Sequence, residues 1–125
     1  MNIMVADDSV FIRTTIIKSL QSIKNVDNIY EADDVQSAID VLKRYKPDIS
    51  LIDIKMPGGN GFDVLKVAKE KEINSLSIML TNYTFKHYEN KSKDAGADYF
   101  FDKAMDFEKV CRIIETFDDK KAMGN

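Results

Sequence analysis

The chain predicts an α/β domain built on a doubly wound, five-stranded parallel sheet. Short apolar runs alternate strictly with segments whose apolar residues recur at helical spacing, five times over. The third run is almost continuously apolar, as strands are when helices cover both faces of a sheet. Four runs end in polar or charged residues that core packing does not explain: Asp7 and Asp8, Asp53, Thr81, and Lys103.

Asn2 to Ala6 is too brief for a helix and suits a buried first strand. Ile16, Ile17, Leu20 and Ile23 then recur at helical spacing, with Ser9 placed to cap the helix start. Ile29 to Ala32 is a shorter, more polar strand that suggests a sheet edge. Val35, Ala38, Ile39, Leu42 and Tyr45 mark a second helix, which stops before Pro47. Ile49 to Asp53 is the third strand. Pro57, Gly58, Gly59 and Gly61 make the loop after it, and Val64, Leu65 and Ala68 mark the third helix. Leu76 to Leu80 and Tyr99 to Phe101 are the fourth and fifth strands. Phe107, Val110, Cys111, Ile114 and Phe117 form the apolar stripe of the last helix. The fourth helix, Phe85 to Ala95, has few apolar positions among its charges, so displacing it locally is cheap. Gly96 is placed to end it in a left-handed cap.

The 125 residues make one domain, residues 1–125, large enough for a real core. With 44% apolar and 31% charged residues it is globular rather than disordered. Its 18 lysines and arginines are scattered and the net charge is −3, which argues against direct nucleic-acid binding. No apolar run approaches a membrane span, and the N-terminus lacks the regions of a signal peptide. One cysteine, Cys111, excludes an internal disulfide and a zinc pattern. The expected location is the cytoplasm.

In a parallel α/β sheet the C-terminal strand ends line one crevice, where such folds bind ligands. Asp7, Asp8 and Asp53 would repel one another there without a cation between them, and carboxylate oxygens with room for water suit Mg²⁺. Lys103 supplies a compact charge for a phosphoryl oxygen, and the Thr81 hydroxyl a further donor. Asp53 is the better nucleophile, because it follows the longest apolar run and opens a loop rather than a helix. Its carboxylate is ionised at neutral pH and needs no general base, so the product would be an aspartyl phosphate. Taken singly, Asp7 or Asp8 is equally an ordinary helix cap, Thr81 a strand-end residue, and Lys103 a solvated charge. The constellation carries the argument.

These residues resemble a family. The acidic pair in DDSVFIR, the DIKMPGGNG stretch around Asp53, Thr81, and AGADYFFDK ending in Lys103 are similar to the receiver domain of bacterial two-component response regulators, over the full length. The likeness is to the single-domain, chemotaxis-regulator-like kind. It implies a flavodoxin-like (βα)5 fold with strand order 2-1-3-4-5. It implies Asp53 as acceptor of a phosphoryl group from a histidine kinase or phosphotransfer protein. Asp8 and Asp53 would ligate Mg²⁺ directly, Asp7 largely through water, and Lys55 through its backbone carbonyl. Thr81 and Lys103 would hold the phosphoryl group, with Thr81 and the aromatic Phe100 as the switch. The fourth helix, fifth strand and fifth helix would form the output face for a downstream protein target.

Two features depart from the family pattern. Ala104 follows the lysine where proline is usual, and its peptide bond is expected to be trans. Lys55 and Tyr83 stand at variable positions beside the path of the hydrolytic water. His87 is expected at the surface, Cys111 in the helical stripe, and the glycine cluster lacks the Gly-Lys-Ser/Thr of a phosphate-cradling loop. Tyr83, Phe85, Tyr88, Tyr99 and Phe100 divide between core and a partner surface. A flavin-binding domain is disfavoured because Asp7 and Asp8 would repel its phosphate, and a dehalogenase-type phosphatase because it needs Asp-x-Asp. A pseudo-receiver that signals without phosphate is the serious alternative. The polar tail DDKKAMGN shows no domain beginning, so a stand-alone receiver is expected, the other possibility being a receiver cut from a longer DNA-binding regulator.

Overall fold

The structure, a computed structural model, describes residues 1–117; the polar tail lies outside the described residues. The order of elements is β1 (Asn2–Ala6), α1 (Val10–Gln21), β2 (Asn28–Ala32), α2 (Val35–Tyr45), β3 (Ile49–Ile52), β4 (Lys55–Met56), β5 (Gly59–Asn60), α3 (Gly61–Glu70), β6 (Leu76–Thr81), α4 (Lys86–Asp94), β7 (Tyr99–Asp102) and α5 (Phe107–Thr116). Five strands form one sheet in the order β2-β1-β3-β6-β7, with every pair parallel. Counted within the sheet, that is the expected 2-1-3-4-5 order of a flavodoxin-like doubly wound fold.

Side chains alternate across the sheet, so each strand feeds two cores. Met4, Ala6, Ile52 and Met79 pack under α2 and α3 with Ala38, Leu42, Val64 and Leu65. Ile3, Val5, Leu51 and Ile78 face the other way, against Ile16 and Leu20 of α1 and Val110 and Ile114 of α5. β2, the polar strand, is at the sheet edge as its composition suggested.

Local chemistry sets the helix ends. The Ser9 hydroxyl accepts from the Ile12 amide at 3.2 Å and caps α1. Asp34 caps α2 through the Ser37 amide at 2.7 Å, and Lys46 takes a left-handed conformation (φ 45°) just before Pro47. Gly96, at φ 103°, follows α4. Its amide bonds to the Lys93 carbonyl at 3.1 Å and that of Ala97 to Ser92 at 2.9 Å, a Schellman ending. Of the α4 residues only Ser92 is buried, which matches the thin anchoring read from sequence.

The segment after Asp53 differs from the expected loop. Lys55–Met56 and Gly59–Asn60 pair as a short antiparallel hairpin, and Gly61 is the first residue of α3 rather than part of the turn. Asn60 and Asp63 form a reciprocal capping box there. Gly61 is required by close approach, since a Cβ would lie 2.3 Å from the Asp53 carbonyl oxygen.

Candidate functional site

Strand register decides which residues meet. Ala6 pairs with both Ala32 and Ile52, so the next residues, Asp7 and Asp53, emerge side by side from adjacent strands. Thr81 ends β6 opposite Asp102 of β7, which places Lys103 one residue beyond. One carboxylate oxygen from each of Asp7, Asp8 and Asp53 lies within 4.8 Å of the others. Asp7 and Asp53 are buried and Asp8 is exposed.

Each buried carboxylate has a divided role. Asp53 Oδ1 accepts from the Ile54 amide at 2.7 Å, and Oδ2 accepts from Lys103 Nζ at 2.7 Å. Asp7 Oδ1 accepts from the Ser9 amide at 2.9 Å. Its Oδ2 meets the Lys103 ammonium as an ion pair and is otherwise buried without a hydrogen-bond partner. Ser9, rather than Asp7 or Asp8, caps α1, which leaves the acidic pair to the crevice. Burial pushes the Asp53 carboxyl above the usual range and the Asp7 charge adds to this, outweighing the opposing pull of Lys103 and Thr81. Burial alone would lower Lys103, but its contacts with Asp53 and Asp7 raise it, so the ammonium is firmly protonated.

Around this centre, Thr81 is fully buried and its hydroxyl accepts from the Tyr83 amide at 3.1 Å. Lys55 is exposed in the hairpin, two residues beyond Asp53, and its Nζ lies 5.2 Å from the centre of the Tyr83 ring. Phe100 is half-buried against the α2–α3 core, as is Tyr88, whereas Tyr83, Phe85 and Tyr99 are exposed. The Lys103–Ala104 bond is trans, as expected. The Ala104 amide donates to Asp102 Oδ1 at 2.8 Å, a bond that proline has no N–H to make. Asp106 Oδ2 in turn accepts from the Asp102 amide at 3.0 Å. His87 is exposed, and burial raises the Cys111 thiol above its ordinary value.

Sequence reasoning missed three residues that shape the crevice. Gly61 looked like one turn glycine among several, and only its contact with Asp53 distinguishes it. Asp102 carried no signal beyond its place before the lysine. Arg13, in the second turn of α1, donates from Nη1 to the Asp7 carbonyl at 2.8 Å and pairs through Nε with Glu31 at 2.8 Å.

The donor set fits a hard divalent ion. Three carboxylates cluster beside a single ammonium that pairs with two of them, and Asp7 Oδ2, with nothing beyond that ion pair, is the kind of oxygen that a cation or its waters would satisfy. Among the described residues, no helix is long and apolar enough to cross a membrane.

A doubly wound sheet with carboxylates and a lysine at its strand ends defines a class, the flavodoxin-like α/β signalling domains. Within it the chain belongs to the response regulator receiver domains of two-component systems, whose family model matches residues 3–115. The chain is 25% identical over 114 residues to the Fimbriae Z protein of Salmonella typhimurium, covering 91% of this chain and 54% of that one. It is 27% identical over 115 residues to the DNA-binding transcriptional activator EvgA of Escherichia coli, covering 92% and 56%. The chain thus spans about half the length of these curated relatives. The receiver domain of the putative response regulator NarL from Mycobacterium tuberculosis superposes with a TM-score of 0.85 at 22% identity, covering 99% of this chain and 97% of that one. Domains of this family are phosphoacceptor signalling modules rather than classical enzymes, and they work with histidine kinases and downstream effectors.

Proposed function

We propose that this receiver is a phospho-accepting switch in which Asp53 takes a phosphoryl group from a kinase phosphohistidine. The observation that carries the reading is the Lys103 ammonium held against both Asp53 and Asp7, with Asp8 beside them. An Asp53 carboxylate oxygen attacks phosphorus, the P–N bond breaks, and its electron pair leaves with the imidazole, which takes up a proton. Lys103 then transfers its contact from the carboxylate to a phosphoryl oxygen, and the Thr81 hydroxyl turns to a second one. Asp8, Asp53, the Lys55 carbonyl and, through water, Asp7 would hold Mg²⁺, which would supply charge neutralisation for the phosphoryl oxygens.

The output follows from mobility. Movement of Thr81 draws on the Tyr83 amide it accepts from, and Tyr83 leads into α4, the helix with fewest buried residues. Phe100 rotates further inward behind it, and the α4–β7–α5 face changes for a downstream protein. The test is Mg²⁺-dependent labelling by acetyl phosphate, with Asp53→Asn as control. Labelling that persists in that variant, or its absence in the natural chain, sinks the reading and leaves the pseudo-receiver.

A second reading is that the receiver regulates a DNA-binding partner domain in a longer chain. The length of the relatives, one of them named a DNA-binding activator, supports it. Intact-mass measurement of the native protein decides between this and a receiver acting alone.

A further inference from the structure

We propose that Arg13 is a positioning residue for the acidic pair, a guanidinium strut that fixes the Asp7–Asp8 peptide and so sets the affinity of the crevice for a divalent cation. The inference rests on the metal reading given under Proposed function.

The geometry is closed on both sides. The Asp7 amide donates to the Ala32 carbonyl of β2 at 3.0 Å. The Asp7 carbonyl accepts from Arg13 Nη1 at 2.8 Å, and Arg13 Nε is anchored at 2.8 Å on Glu31, the residue before Ala32. The strut is nearly buried, its side chain 12% exposed against 54% for Glu31. The peptide joining Asp7 to Asp8 is planar, so holding its oxygen fixes the tilt of the plane and the direction in which Asp8 leaves it. Asp8 itself is exposed. Asp7 is also aligned, because its Oδ1 must meet the Ser9 amide.

Arginine suits this task because one rigid fork presents donors in two directions, whereas lysine offers a single point. Charge alone argues against placing it there. A cation in the early turns of a helix opposes the helix dipole, and beside a cation site it weakens metal binding. Position and charge therefore predict opposite signs, which makes the proposal decidable. Residues that orient metal ligands are typically worth about 10–100-fold in metal affinity.

The experiment is Mg²⁺ titration of the full, unphosphorylated chain by NMR, with amide exchange at Asp8 and Ser9 measured without metal. Arg13→Met is expected to weaken Mg²⁺ binding by about 10–100-fold and to speed exchange at both amides. Arg13→Lys keeps the charge without the fork and is expected to resemble it. Glu31→Ala unties only the outer end, so a smaller loss of the same kind is expected. Unchanged or tighter Mg²⁺ binding in Arg13→Met overturns the strut, as does wild-type affinity in Arg13→Lys. If Arg13→Met does not fold, Glu31→Ala decides, and wild-type affinity with wild-type exchange there overturns the proposal. If the natural chain binds no Mg²⁺, the metal reading falls by itself and the exchange rates alone judge the strut.

Discussion

Asp53 is held as a carboxylate in a place that disfavours its charge. Its raised value already includes the attraction of Lys103. The folded state therefore binds the Asp53 proton more tightly than the unfolded chain. Its contribution to stability is full below the unfolded value of 3.8 and is lost as pH rises through the folded value. Asp53→Asn, which carries no charge, is expected to melt a few degrees higher than the natural chain at pH 7 without metal. The gap closes as the medium is acidified below about 4; a gap that stays constant in a pH series of melting curves would show that packing, not ionisation, separates the two. Ala104 makes a different point. Proline there removes the amide that Asp102 accepts from, so Ala104→Pro is expected to destabilise the domain by about 1 kcal/mol in a urea titration. Lys55 and Tyr83 pair with one another at the mouth of the crevice. Acting as a cover, they would slow attack of water on the phosphorylated form. The Lys55→Asn, Tyr83→Ala double variant is then expected to release phosphate several-fold faster, and an unchanged rate would return both side chains to solvent.

Among the elements, α4 stands apart. The other four helices each bury at least two residues, whereas α4 buries one serine and, like α5, begins without a side-chain cap. Its amides are expected to exchange fastest of the five helices in native-state hydrogen exchange. Protection equal to that of α5 would remove the basis for a movable output face. α2 shows the opposite case. Hydrogen bonds from the Ser37 hydroxyl and amide hold the Asp34 carboxyl below its usual value. The stability this provides is present above 3.8 and is lost as pH falls through the lower, folded value. Asp34→Ala is expected to lower the melting temperature at pH 7, with the deficit shrinking in strong acid. Asp34→Asn, which still caps, should recover most of the loss.

For the whole molecule, excess negative charge at one end of the sheet would make a bound divalent cation a stabilising ligand. A hundredfold excess of Mg²⁺ over its Kd is expected to add about 2.7 kcal/mol to unfolding free energy. Asp8→Ala should abolish that increment while raising metal-free stability through relief of repulsion. Lys103→Ala should keep Mg²⁺ binding and lose the response to phosphorylation. Calorimetric melts with and without the ion separate these roles, and equal losses of affinity in the two variants would merge them.

The sequence by itself determined the fold class, the sheet order through resemblance, and nearly every helix and strand, because apolar periodicity and capping residues are local. It also picked out Asp7, Asp8, Asp53, Thr81 and Lys103, since charge at the end of an apolar run has no packing explanation. The tertiary structure decided what local pattern cannot encode. Register set Asp7 beside Asp53 and brought Lys103 between them. A close approach made Gly61 necessary, and a contact across β2 turned Arg13 and Glu31 into part of the site. Those three look like an ordinary turn glycine and ordinary surface charges in the chain. Their meaning lies in partners brought near only when the strands pair, and no spacing along the sequence records which those partners are.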